Sequence, residues 1–127
     1  MRISDLLKED SGISQVSLPD DVDALKVIVL NDPDYRIRLE AVGKISDDDF
    51  LSDIAFNDSN RKVKVASVEN ITSQNHLKRI AEGHSNCHVR IAAIERLEDI
   101  SALRDIAENE SNKNVKKVAV KKIKEIM

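Results

Sequence analysis

The chain has 127 residues, 41% hydrophobic and 34% charged, which is the mixture expected of one small helical domain. Aromatic residues make up only 2%, so binding of single-stranded nucleic acid by base stacking is disfavoured. The single cysteine excludes an intramolecular disulfide, and no stretch has the ~18 apolar residues of a membrane span or the pattern of a signal peptide, so we expect a cytoplasmic protein. The net charge of −3 is unevenly spread: residues 1–60 carry 6 basic and 14 acidic side chains, and residues 61–127 carry 14 and 9.

Residues 1–20 lack the pattern that organises the rest of the chain. Ile3, Leu6 and Leu7 have helical spacing, and the Ser11-Gly12 pair would end such a helix. We therefore predict an N-terminal segment made of a short helix and of irregular chain, over residues 13–19, that covers the first repeat.

From residue 21 onward the sequence repeats itself at a constant interval, without insertion. The most regular part of the repeat is an amphipathic segment that stands at 37–45, 63–71, 89–97 and 115–123. A fixed period of this length is typical of a stacked array in which each unit packs only on its neighbours. We divide the array into repeats 21–46, 47–72, 73–98 and 99–127.

Each repeat is predicted to be a helical hairpin. Its first helix carries apolar residues at i, i+3 and i+4, as in Leu25, Ile28 and Val29. Asn or Gly follows, and we expect these residues to end the helix in the left-handed conformation that they tolerate: Asn31, Asn57, Gly83 and Asn109. Three positions later stand side chains that commonly cap helix N-termini: Asp34, Asn60, Asn86 and Asn112. Ser, Thr and Asp between the repeats can cap the next first helix.

The two flanks of the second helix indicate where the array ends. One flank carries Leu39, Val65, Ile91 and then Lys117, and the other carries Glu40, Ala66, Ala92 and Val118. A repeat needs an apolar flank wherever it has a neighbour. The charged members of the two series fall at opposite ends, which predicts four stacked repeats with two polar ends.

The pattern Leu77-x-x-Ile80-Ala81-x7-Val89-Arg90-x-x-Ala93-Ile94-x-x-Leu97 resembles the prokaryotic HEAT-like repeats, including those of the phycobilisome-lyase group. The likeness covers residues 21–127. It implies an all-α fold, a right-handed α-α superhelix (a HEAT-like solenoid) of four helical hairpins, and the role of a protein-binding scaffold. The related leucine-rich-variant solenoid, whose first helix is a 3₁₀ segment, is the alternative architecture.

The resemblance also implies a ladder of acidic and basic residues between repeats. The residues that match it are Asp32 and Arg38, Asp58 and Lys64, and Glu110 and Lys116, while the third repeat departs with His84 before Arg90. We therefore assign Arg38, Lys64, Arg90 and Lys116 to structure.

Two clusters could suggest metal chemistry. His76, His84, Cys87 and His88 stand close together in the sequence, but His76 should lie at the far end of a helix and a fourth ligand is not evident, so we interpret them as surface residues. The acids Asp47, Asp48, Asp49 and Asp53 are explained by the preference of a helix start for negative charge. No catalytic or phosphate-binding motif occurs. We expect no metal, no cofactor and no enzymatic activity.

The best functional interpretation is a monomeric scaffold that binds another protein along the face formed by its second helices. The positions on that face, with Gly43 and Asn114 beside them, mix both charges: Arg36, Lys62, Glu69, His88, Glu95 and Lys121. Mixed charge suits a protein partner better than a uniformly negative polymer.

The alternative is association with nucleic acid through the last helix, which carries Lys113, Lys116, Lys117, Lys121, Lys122 and Lys124. Those lysines are also expected of a solvated terminal helix. A lyase-type accessory role rests on the family resemblance alone.

Overall fold

The computed structural model describes residues 17–127, and the short helix predicted around Ile3, Leu6 and Leu7 lies outside this range. Residues 17–20 are not helical, and Leu18 packs against the core. Within the described range every regular element is an α-helix and there is no strand. The eight helices of residues 17–127 are α1 (Val22–Asn31), α2 (Tyr35–Val42), α3 (Asp48–Asn57), α4 (Arg61–Asn70), α5 (Gln74–Gly83), α6 (Cys87–Arg96), α7 (Ile100–Asn109) and α8 (Lys113–Ile126).

The helices follow one another at the interval of the sequence repeat. Odd-numbered helices begin at Val22, Asp48, Gln74 and Ile100, and even-numbered helices begin at Tyr35, Arg61, Cys87 and Lys113, with equal spacing in both series. The first helix of each pair is α-helical throughout, not 3₁₀ as the leucine-rich-variant alternative requires. None of the helices in residues 17–127 has the length and apolar character needed to cross a membrane.

Side-chain caps explain why the second helices begin where they do. The predicted caps are confirmed, because a side-chain oxygen accepts a backbone N–H of the first turn at Asp34, Asn60, Asn86 and Asn112. Three of the first helices are capped in the same way, by Asp47, Ser73 and Asp99.

The predicted left-handed residue at the end of each first helix is wrong. Asn31, Asn57, Gly83 and Asn109 are the last helical residues, and no residue between 17 and 127 has a positive φ. The following residue is extended instead, with φ −70° and ψ 129° at Asp32, while its N–H still donates to the carbonyl of Ile28. The chain therefore leaves the helix without needing the conformation that Gly or Asn would supply.

A side-chain acceptor closes each turn in place of a left-handed residue. The side chain of the residue after the first helix accepts the backbone N–H two positions on, which belongs to the cap of the second helix. These bonds are Asp34 N–H to Asp32 (2.9 Å), Asn60 N–H to Asp58 (2.9 Å), Asn86 N–H to His84 Nδ1 (2.9 Å) and Asn112 N–H to Glu110 (3.1 Å). The turn chemistry is thus carried by residues 32, 58, 84 and 110.

Packing is strongest within each helix pair and between successive second helices. The two helices of each pair pack against each other, and α2, α4, α6 and α8 form a continuous row in which each contacts the next. Contacts between successive first helices are sparser. One apolar cluster runs through all four pairs, and its fully buried large members include Leu25, Ile45, Leu51, Ile71, Leu77, Ile94, Leu97 and Leu103.

The apolar residues on the flanks of the second helices are partly buried. Leu39, Val65 and Ile91 on one flank and Ala66, Ala92 and Val118 on the other are partly buried and pack against the core. Lys117, which ends the first series, is exposed, and Glu40, which begins the second, is half-buried.

Within residues 17–127, arginine–carboxylate pairs connect successive helix pairs at two of the three junctions. The Arg38 guanidinium donates to both carboxylate oxygens of Asp58, at 3.1 and 3.2 Å, and also to the Asp32 carbonyl at 2.8 Å. Arg90 repeats this arrangement on the Glu110 carboxylate and the His84 carbonyl. Within residues 17–127, Lys64 and Lys116 form no such pair. The structural assignment is confirmed for both arginines, each of which binds the acid of the following repeat.

Candidate protein-binding groove

An open groove of about 380 Å³ lies between the second helices α4 and α6. Its floor is apolar and consists of Val65, Ile91 and Ala92. Its charged or ionisable rim is formed by Arg61, Lys62, Glu69, His88 and Glu95, all exposed. Four residues predicted from sequence as the centre of the interface (Lys62, Glu69, His88 and Glu95) therefore surround one depression.

The charges of the groove are separated along its length. Arg61, Lys62 and His88 stand in the first turns of α4 and α6, and Glu69 and Glu95 stand in their last turns. At a rise of 1.5 Å per residue, Lys62 and Glu69 are separated by roughly 10 Å along the helix axis. One end of the groove is therefore basic and the other acidic, with apolar side chains between them.

This order of charges opposes the helix dipole. A helix favours acids at its N-terminus and bases at its C-terminus, by ~0.3–1 kcal/mol for each surface charge. Lys62 and Glu69 on α4 are the reverse of that preference, and so is Glu95 on α6. Helix stability alone does not account for this arrangement.

Few contacts within the described chain neutralise these side chains. The Lys62 ammonium lies 5.9 Å from the centre of the Tyr35 ring, a cation–π contact that orients it over the start of α2. Among residues 17–127, Glu69, His88 and Glu95 form no salt bridge.

The two remaining residues predicted for the interface lie outside the groove. Lys121 borders a neighbouring depression of about 330 Å³ between α6 and α8, which shares Glu95 with the groove. Arg36 is exposed on α2, and its guanidinium donates to the Asp34 carboxylate at 2.8 Å. This bond holds the pKa of Asp34 below its usual value, so Arg36 helps to stabilise a helix cap.

Sequence reasoning missed part of the groove. Val65, Ile91 and Ala92 were assigned only to the packing between repeats, and Arg61 was given no role. In the structure the three apolar side chains are partly buried, so one side of each packs inward while another remains open to the groove. Their position on the flank rather than at the centre of the buried face was the signal in the sequence.

The prediction that the histidines and the cysteine are surface residues holds for His88, which is exposed, and is wrong for His84. His84 is 3% exposed, its Nε2 lies 2.7 Å from the Ala55 carbonyl, and its ring stacks on Phe56. Burial lowers the pKa of His84, and the positive charges of Lys64 and Arg90 act in the same direction. Cys87 is partly buried, and no group of three potential metal ligands occurs within residues 17–127.

Three acidic side chains at the start of α3 form hydrogen bonds or ion pairs with other residues of the chain. Asp47 accepts the Phe50 N–H and pairs with Lys26 at 2.8 Å. Asp48 accepts the backbone N–H groups of Thr72 and Ser73. Asp49 lies 2.7 Å from His76, which stands at the start of α5. Two of the acids therefore connect the second helix pair to the third, in addition to their place at a helix start.

A third depression, of about 570 Å³, lies on the last helix, α8. It is lined by Lys113, Lys116, Lys117, Val120, Lys121 and Lys124 on one face of α8. Five of the six predicted lysines thus share one face, while Lys122 lies on the side that borders Glu95.

Comparison of the chain with protein-family models, with curated proteins and with solved structures gives no match. The functional argument therefore depends on the groove and on the charges around it.

Proposed function

We propose that this protein is a non-enzymatic scaffold that binds a segment of another protein in the groove between α4 and α6. The observation that carries the proposal is the convergence of Lys62, Glu69, His88 and Glu95 around an apolar floor. These side chains project from helices, so the surface is presented on rigid elements whose positions are fixed by the core.

The architecture that we propose for this scaffold is a right-handed, HEAT-like superhelix. The constant interval between helices, the continuous row of second helices and the Arg38–Asp58 and Arg90–Glu110 pairs support it. In such an array the second helices form one continuous face. A cytoplasmic location, based on the single cysteine, remains a prediction.

The charge order defines the partner that fits. Its bound segment has acidic side chains at one end, opposite Arg61, Lys62 and His88, and basic side chains roughly 10 Å away, opposite the two glutamates. Small or aliphatic side chains between them cover Val65, Ile91 and Ala92. Two opposite charge contacts fix the direction in which the segment lies, and the apolar floor supplies the area removed from water.

Nucleic acid is the second candidate partner, and the lysine-lined depression on α8 is the observation in its favour. The exposed Glu95 on the adjacent helix interrupts the basic surface, and Glu69 follows on the next. A protein partner in the groove therefore fits the charge distribution better. Steep loss of duplex DNA affinity with salt is the expected signature of the alternative.

The test of the proposal is a double charge reversal at the acidic end of the groove, Glu69→Lys with Glu95→Lys. We expect capture of the specific partner from the native lysate to fall at least tenfold. The melting temperature should not fall, because lysine in the last turn of a helix is favoured by its dipole.

The matched control is Glu82→Lys with Glu108→Lys. These glutamates are also exposed and also stand in last turns, but on the first helices α5 and α7. The control has the same change of net charge and the same relation to the helix dipole, so it should retain capture. If the groove variant and the control variant capture the partner equally well, the partner binds to another surface.

A further inference from the structure

The last helix pair exposes an apolar side chain at a position that is buried in the other three pairs. Val120 on α8 occupies the register position of Val42, Val68 and Ile94, which are all 0% exposed. Val120 itself is 38% exposed. The last helix pair thus presents, uncovered, an apolar side chain that is buried at the same position in the other three pairs.

The junctions inside the chain show how this end would be covered. At the first junction Lys26 pairs with Asp47, at 2.8 Å, and Arg38 pairs with Asp58. In both pairs the base belongs to the earlier repeat and the acid to the later one. Arg90 and Glu110 repeat this order at the third junction. The second junction differs, because its contact joins Asp49 of the earlier repeat to His76 of the later one. A unit that continues the arrangement of the first and third junctions would present acids to the C-terminal end.

The N-terminal end of the same chain presents those acids. Suppose that the first repeat of another copy follows the last repeat of this chain in the same register. Arg104 of this chain then occupies the position of Lys26, and Asp21 of the other copy occupies the position of Asp47. Lys116 takes the place of Arg38 and meets Asp32. All four residues carry the charges that the internal pairs require.

The flanks of the second helices give a third match. Inside the chain, Leu39, Val65 and Ile91 on one flank precede Ala66, Ala92 and Val118 on the other, and all six pack against the core. Continued in the same register, Lys117 faces Glu40 of the other copy. The internal junctions carry apolar residues at these positions, whereas the first and the last described repeats carry opposite charges there.

We propose that copies of this chain associate head to tail, with the basic C-terminal end of one copy docked on the acidic N-terminal end of the next. This arrangement extends the internal junction between molecules and covers Val120. It also departs from the monomer expected from the sequence. Because the two contacting surfaces differ, the association is heterologous, so it builds a chain or a ring of copies rather than a two-fold dimer.

Charge reversal at the third match tests the proposal. Sedimentation equilibrium of the wild-type protein at low salt should give an average mass that rises with concentration beyond the monomer. Lys117→Glu alone and Glu40→Lys alone should each remain monomeric, because each places like charges at the junction. The association of the wild-type protein should weaken in ~1 M salt, since exposed ion pairs are screened.

An equimolar mixture of the two variants is the decisive sample. One junction of the mixture pairs the unchanged Lys117 of one variant with the unchanged Glu40 of the other. The opposite junction pairs the two substituted side chains, which again are one acid and one base, so the average mass should rise again. Glu108→Lys, on the outer side of α7, is the matched control and should associate like the wild type. Circular dichroism verifies that each variant is folded.

Three results would overturn the proposal. The first is a wild-type protein that stays monomeric at every concentration in low salt. The second is self-association of both single variants at wild-type strength, and the third is a mixture that remains monomeric. A monomer that binds duplex DNA through Lys116 and Lys117 with steep salt dependence would assign this end to nucleic acid instead.

Discussion

A histidine performs in the third repeat the function that carboxylates perform in the other three. His84 Nδ1 accepts the Asn86 N–H, as Asp32, Asp58 and Glu110 accept the equivalent N–H in their turns. Because Nδ1 accepts that bond and Nε2 donates to the Ala55 carbonyl, the ring fits the turn as a neutral imidazole. The ring is also faced by the cations Lys64 and Arg90.

This arrangement predicts a loss of stability in acid. The folded state holds the pKa of His84 below its ordinary value of 6.5, chiefly through burial. As pH falls through 6.5, His84 binds a proton in the unfolded chain but stays neutral in the folded chain. The free energy of unfolding therefore decreases. His84→Gln should reduce this dependence of urea unfolding on pH. His88→Gln, an exposed neighbour, should leave it unchanged, and equal profiles for the two variants would contradict the assignment.

At the scale of the helix, most of the architecture could be predicted from the sequence. The caps and buried faces follow from residue types at a fixed period, so Asp34, Asn60 and their equivalents were predicted correctly. The backbone conformation at the end of the first helix was predicted wrongly, because Asn and Gly allow a left-handed conformation without requiring it. The acceptor at the next position decides the turn, and a histidine in that role carries no recognisable signal.

The junctions between helix pairs give a prediction about stability. Arg38 and Asp58 have side chains only 9% and 6% exposed, so removal of one partner leaves the other charge buried. Arg38→Met should therefore lower the free energy of unfolding by about 3 kcal/mol. Lys116→Met, the exposed equivalent in the last repeat, should cost less than ~0.5 kcal/mol when both variants are measured as dilute monomers. Comparable losses in urea unfolding would show that the ion pair contributes little to the junction.

For the whole molecule, the sequence predicted the face that carries the groove but not its floor. Lys62, Glu69, His88 and Glu95 were found because outward positions of a helix follow from its period. The groove floor, formed by Val65, Ile91 and Ala92, was not found. An apolar residue that packs between repeats has the same spacing in the sequence whether or not it also lines a groove. The proposed relation of the two ends depends on the pairs of Lys26, Arg38 and Arg90, in which the base belongs to the earlier repeat.

The central claim is that a protein segment lies in the groove between α4 and α6, and photocrosslinking tests it most directly. A photoreactive amino acid placed at His88, on the rim, should crosslink the partner that the wild-type protein captures. The same amino acid at Glu108, equally exposed on α7, should not. Crosslinking from position 108 with none from position 88 would contradict the claim.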